Sequence, residues 1–133
     1  MPAILIVEDD KHQRLLLEEE LQGEGHTTVA VATAREAIRA VSRTMPDLVV
    51  LDIKLPGMDG MELFGKLVGL DFRLPIVIYT GYAAYEGSFL ACGADAYVLK
   101  RSDLSELKDT IRGILCGRSL LPALSPLSPA CAL

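Results

Sequence analysis

Val49-Val50-Leu51-Asp52-Ile53-Lys54-Leu55-Pro56-Gly57-Met58-Asp59-Gly60 is the stretch from which the rest of the chain can be read. An apolar, β-branched run leads straight into one carboxylate, and a stiff Pro-Gly turn and a helix start follow. Strand-like runs of the same character recur at Ala3–Val7, Thr27–Val31, Leu48–Leu51, Ile76–Tyr79 and Ala96–Leu99. Their continuous Val/Ile/Leu content suits parallel strands covered on both faces. Helical spacing fills the gaps. Leu17 and Leu21 back an acidic run that ends at Gly23 and Gly25, and Ala37, Ile38 and Val41 share a stripe from Ala34 to Ser42. Met61, Phe64, Leu67 and Val68 predict a helix over Met58–Val68, and Leu107, Ile111, Ile114 and Leu115 predict one from about Leu104, capped by Ser102 or Asp103. A weaker helix is expected from Ala83 to Cys92, with Gly87 inside it. Strict βα alternation predicts an α/β fold: a doubly wound, five-stranded parallel sheet with five helices and right-handed crossovers.

The chain has 133 residues, enough for one domain with a proper core and too few for two ordinary ones. Residues 1–117 are expected to form that domain. From Arg118 to Leu133 the pattern breaks into prolines and serines, which reads as a C-terminal tail or linker. A net charge of -5 argues against direct binding to nucleic acid. No apolar run approaches the roughly 20 residues that span a membrane, and no leader signature opens the chain. Cys92, Cys116 and Cys131 show no metal-ligand spacing and read as free thiols, in keeping with a reducing cytoplasm.

The chemically suggestive residues follow the apolar runs. Glu8 and Asp9 come after the first, Asp52 after the third, Thr80 after the fourth and Lys100 after the fifth. In an open parallel sheet all these positions lie on one edge, so the groups should converge. Asp10 reads best as a helix cap. At an effective dielectric near 20, two charges about 4 Å apart repel by roughly 4 kcal/mol. A cluster of strand-end acids therefore raises a pKa or holds a cation, and hard oxygen ligands with room for water favour Mg²⁺. Lys100 is placed to pair with Asp52 and then with a phosphoryl oxygen, and Thr80 offers a hydroxyl donor. Carboxylate nucleophile, metal, lysine and hydroxyl together describe an aspartyl-phosphate site.

From residue 4 to about 116 the chain resembles the receiver domains of two-component response regulators. The resemblance rests on Ile4-Leu5-Ile6-Val7-Glu8-Asp9-Asp10, Gly25-His26, Glu36-Ala37-Ile38, Pro46 to Asp52, Leu55 to Gly60, Pro75 to Gly81, and Gly93-Ala94-Asp95-Ala96-Tyr97-Val98-Leu99-Lys100. It implies a flavodoxin-like strand order, 2-1-3-4-5. It implies that Asp52 accepts a phosphoryl group from the phosphohistidine of a sensor histidine kinase or a histidine phosphotransfer protein, as a signalling domain rather than an enzyme. Glu8, Asp9, Asp52 and the backbone carbonyl of Lys54 would hold Mg²⁺ or Mn²⁺. Thr80 and Lys100 would bind the phosphoryl oxygens, and Thr80 and Tyr97 would form the switch. The face of the fourth helix, fifth strand and fifth helix would then bind a downstream target, a missing output domain or a second copy of the chain. No further cofactor is implied.

Three departures from the family pattern stand out. Arg101 follows Lys100 where receivers usually carry proline; a cis bond to a non-proline costs about 2.5–4 kcal/mol, so a trans bond is expected. The Thr80–Lys100 segment is short, and position 8 is Glu where many members have Asp. Lys54 and Tyr82 sit two residues past Asp52 and Thr80, where they are expected to flank the phosphoryl group. The competing readings are a haloacid-dehalogenase-type phosphatase, a flavin-binding module, and a receiver-like docking module that works without phosphorylation. The first wants its nucleophile after the first strand; the second wants a small-residue phosphate cradle where this chain has three acids.

Overall fold

The computed structural model describes residues 1–55, 57–71, 73–100 and 103–124, with side chains as far as Gly117. Its strands are β1 (Ala3–Val7), β2 (Thr27–Val31), β3 (Leu48–Leu51), β4 (Lys54–Leu55), β5 (Met58–Asp59), β6 (Ile76–Thr80) and β7 (Ala96–Leu99). Its helices are α1 (Lys11–Gly23), α2 (Ala34–Arg43), α3 (Gly60–Leu70), α4 (Glu86–Ala91) and α5 (Ser105–Leu124). Five strands pair in parallel in the order β2-β1-β3-β6-β7, which is the expected order once the small β4–β5 hairpin is set aside.

Strand alternation sorts the core into two layers. Leu5, Val7, Val49, Leu51, Ile76 and Ile78 point to one face and pack against α2, α3 and Phe89 of α4. Ile4, Ile6, Leu48, Val50, Val77 and Tyr79 point to the other and meet Leu17 and Leu21 of α1 and Leu107 and Ile111 of α5. With both faces covered, the central strands are apolar up to Thr80 at the end of β6. Two ion pairs hold α5 against α1 and the residue that caps its end, Lys108–Glu20 and Arg112–Glu24, each at 2.5 Å.

The helix starts follow from local chemistry. The Asp10 carboxylate accepts from the amides of His12 and Gln13, Thr33 accepts from Glu36, and Asp103 accepts from Ser105. Three helices differ from expectation. Helix α3 starts at Gly60 because Met58 and Asp59 pair with Leu55 and Lys54 in the hairpin, leaving Asp59 to cap Met61. Helix α4 has only six residues, and Tyr85 gives it no side-chain cap. Backbone of α5 continues past Gly117 to Leu124, since adding a residue to a formed helix costs little. The rest of the expected tail, Ser102, Cys131 and the expected trans bond to Arg101 lie outside the described residues. Cys92 and Cys116 are exposed free thiols.

Gly60 fixes the loop that leaves Asp52. Its amide donates to the Ile53 carbonyl at 3.2 Å, and a Cβ there would run into the Ile53 backbone. Intrinsic helix propensity would make Gly60→Ala stabilising by about 1 kcal/mol. The backbone collision reverses that sign, so Gly60→Ala should cost about 1–3 kcal/mol in urea unfolding.

At the opposite edge of the sheet, His26 has its Nδ1 sealed from water with no partner among the described residues. Burial pushes its pKa below the ordinary value near 6.5; Glu24 opposes that shift and Arg112 adds to it. The unfolded chain therefore binds the proton more readily, and stability should fall as pH drops below about 6.5. Unfolding wild type and His26→Gln at pH 7 and pH 5.5 checks this: the variant should lose less stability between the two.

Candidate functional site

Strand register brings the predicted residues to one rim. Val7 lies opposite Leu51, and the Asp52 amide donates to the Val7 carbonyl at 3.0 Å, so Glu8 and Asp52 leave the sheet side by side. Thr80 lies opposite Leu99, and the Lys100 amide donates to the Thr80 carbonyl at 2.8 Å. Three of these side chains are buried: Glu8 at 2%, Asp52 at 6% and Thr80 at 0% exposure. Asp9 faces solvent. Glu8, Asp9 and Asp52 each offer a carboxylate oxygen, and these oxygens lie within 4.8 Å of one another.

Lys100 holds the acids together. Its Nζ donates to Glu8 Oε1 at 2.6 Å and to Asp52 Oδ2 at 3.0 Å, and it lies 5.9 Å from the Tyr79 ring centroid. Burial alone would lower the lysine pKa, but its bonds to Glu8 and Asp52 raise it above the ordinary value, so it stays charged. Glu8 moves up as well. Its burial outweighs the Lys100 hydrogen bond, and the Asp52 charge adds to the rise. One ammonium thus faces three carboxylates, and the hard oxygen donors left over suit Mg²⁺, with the exposed Asp9 giving access from solvent.

The remaining bonds set the loops. Asp52 Oδ1 accepts from the Lys54 amide at 3.3 Å, and Glu8 Oε2 accepts from the Asp10 amide at 3.2 Å. Arg14 Nη1 donates to the carbonyls of Glu8 and Asp9, both at 3.0 Å, and so pins the acid-bearing turn from α1. Thr80 Oγ1 is different: it is buried and has no hydrogen-bond partner among the described residues. Tyr97 is buried, its ring 6.0 Å from that of Phe89, and its hydroxyl donates to the Tyr82 carbonyl. The Tyr82 ring lies 4.9 Å from Lys54 Nζ, so the two residues expected to flank the site touch each other.

Sequence reasoning placed Glu8, Asp9, Asp52, Thr80 and Lys100 on one rim, and the structure does so too. It foresaw Lys100 pairing with Asp52 but not its shorter bond to Glu8. Arg14, Gly60 and the Lys54–Tyr82 contact were missed. Only a glycine directly after an Asp in the helix-start position hinted at one of them.

The comparisons identify the family. The family model described as response regulator receiver domain matches residues 4–112. Sporulation initiation phosphotransferase F of Bacillus subtilis is 34% identical over 114 residues, covering 84% of this chain and 92% of that protein. Transcriptional regulatory protein AfsQ1 of Streptomyces coelicolor is 35% identical, but this chain spans only 52% of its length. Among solved structures, response regulator protein TrrA of Thermotoga maritima in complex with Mg²⁺–BeF superposes with a TM-score of 0.81 at 34% identity, covering 86% of this chain and 99% of that one. TrrA in complex with the histidine kinase ThkA gives 0.80 at 35% identity, with the same two coverages of 86% and 99%. This chain belongs to the response regulator receiver domain family.

The unpartnered Thr80 hydroxyl gives a test of the resting site. A buried hydroxyl without a partner costs about 1–3 kcal/mol, so Thr80→Val should raise the stability of the unphosphorylated protein by about 1 kcal/mol, read as an increase in Tm. A lower Tm would show that the hydroxyl is satisfied in solution.

Proposed function

We propose that this receiver takes a phosphoryl group from a phosphohistidine onto Asp52 and passes the change through Thr80 and Tyr97 to a partner-binding surface. One observation carries the reading. Asp52 is buried with its two oxygens held by the Lys54 amide and the Lys100 ammonium, beside a Thr80 hydroxyl that has no partner among the described residues. A polar group left unpaired inside a protein calls for an explanation, and an incoming phosphoryl oxygen supplies one.

In the transfer an Asp52 oxygen bonds to phosphorus, the phosphorus–nitrogen bond breaks, and the histidine ring leaves. Phosphoryl transfer of this kind needs positioning and charge neutralisation above all. The Lys54 amide orients the Asp52 carboxylate for attack. Lys100 gives its charge first to Glu8 and Asp52, and then to a phosphoryl oxygen. Glu8, Asp9, Asp52 and the Lys54 carbonyl would hold Mg²⁺, with Mn²⁺ as a substitute. Bound there, the ion neutralises charge that three carboxylates and a phosphoryl group would otherwise concentrate.

Thr80 donates its hydroxyl to the arriving group and Tyr97 occupies the space behind it. Partners on this reading are a histidine kinase or histidine phosphotransfer protein, and a downstream target or an output domain. The TrrA–ThkA complex supports the first, since a close relative there meets a histidine kinase. Exposed Leu90 of α4 supports a face that includes this helix as the contact with a target or a second copy. The domain acts as a phosphoacceptor rather than a turnover enzyme, and works in the cytoplasm beside the kinase. Residues 1–117 are the receiver, and 118–133 a tail or linker whose first residues extend α5.

Incubation with acetyl phosphate and Mg²⁺, followed by intact mass, tests the reading. Wild type should gain one phosphoryl group, Asp52→Ala should gain none, and EDTA should prevent the gain. A protein that stays unmodified under these conditions, yet still binds its partners, would be the phosphorylation-independent docking module instead.

A further inference from the structure

Arg14 sits in the first turn of α1, half-buried, and its side chain reaches back to the chain that enters the helix. One nitrogen, Nη1, donates to the carbonyls of both Glu8 and Asp9, each at 3.0 Å. Nη1 carries two hydrogens, one for each carbonyl, and a charged donor makes a bond roughly twice as strong as a neutral one. The turn is held from its other side as well. The Glu8 amide donates to the Val31 carbonyl at 3.0 Å, the Asp10 amide donates to Glu8 Oε2 at 3.2 Å, and Asp10 Oδ1 caps the helix through His12 and Gln13. Helix α1 is a firm base for this grip: Leu17 and Leu21 are buried in the core, and Glu20 accepts from Lys108 of α5. Because Arg14 takes the carbonyls, the carboxylate oxygens of Glu8, Asp9 and Asp52 are left to gather within 4.8 Å of one another.

Resting on the aspartyl-phosphate reading, we propose that Arg14 is a positioning residue for the divalent cation: by fixing the carbonyls of Glu8 and Asp9 it fixes where their carboxylates leave the turn. Glu8 and Asp9 are consecutive, so both can serve one ion only while the backbone keeps its bend at Asp9. Released from Arg14, the peptide groups on either side of Asp9 are free to rotate, and the exposed Asp9 carboxylate leaves the rim. The effect falls chiefly on Asp9, since Glu8 is buried and bonded to Lys100. Groups that orient metal ligands from behind typically change metal affinity roughly 10- to 100-fold. The Arg14 charge acts in the opposite direction, because a guanidinium on the acid-bearing turn repels a second cation. Positioning and charge therefore predict opposite signs when Arg14 is removed.

Isothermal titration calorimetry of the unphosphorylated full chain with Mg²⁺ reads that sign. Arg14→Met keeps the apolar stem, removes the donors, and should weaken Mg²⁺ binding about ten-fold. Arg14→Lys keeps the charge but ends short of the Nη1 position, and should weaken binding roughly three-fold or more. Leu21→Val thins the core beneath the far end of α1 without touching the turn. It controls for a general loss of stability and should bind Mg²⁺ as wild type does. At saturating Mg²⁺, Arg14→Met should take a phosphoryl group from acetyl phosphate at close to the wild-type rate, because what it has lost is affinity for the ion. Four results overturn the role of Arg14 while leaving Asp52 as acceptor: Mg²⁺ binding unchanged or tighter in either Arg14 variant, an equal loss in Leu21→Val, a transfer rate that stays low at saturating Mg²⁺, or no Mg²⁺ binding by wild type. Failure of wild type to gain a phosphoryl group overturns the aspartyl-phosphate reading itself, whatever the Arg14 variants do.

Discussion

The ammonium of Lys100 bonds two buried carboxylates from different strands, and the rim of the sheet is organised around that contact. Glu8 and Asp52 are brought together by the β1–β3 register, which leaves them no way to separate. Taking one such charge out of water costs several kcal/mol, and two side by side repel as well. Lys100 relieves the pair only in part, as the raised pKa of Glu8 records. The leftover negative charge, opened to solvent through Asp9, suits the rim to a cation and, on the proposed reading, leaves Asp52 ready for an electrophile.

Two further features of the resting site depart from local rules. Thr80 buries a hydroxyl with no partner among the described residues. Gly60 gives up helix propensity so that the loop after Asp52 can fold back on Ile53. Local rules broken in a well-packed core point to function, and here both breaks border Asp52. The stabilising work is done elsewhere: by the two apolar layers on either face of the sheet, and by the caps at Asp10, Thr33 and Asp103.

Tyr97 sits where these two economies meet. Its ring belongs to the core layer with Phe89, while its hydroxyl reaches the loop that carries Tyr82. A side chain shared by core and site can transmit change, because packed cores shift between discrete arrangements rather than yielding smoothly. The α4 helix beside it is only six residues long and starts without a side-chain cap.

The alternation of Ile4–Val7, Val49–Leu51 and Ile76–Tyr79 with helical spacing determined the sheet and its helices, since burial on both faces demands continuous apolar strands. Residue type at the strand ends likewise determined which groups would converge, because parallel strands send all their C-terminal ends to one edge. What tertiary structure alone decided was how those groups pair. The bond from Lys100 to Glu8, the approach of Gly60 to Ile53 and the meeting of Lys54 with Tyr82 join residues far apart in the chain or set by loop geometry. Hydrophobic period carries no information about such contacts. They depend on ångström-scale distances between loops, which only the packed sheet sets.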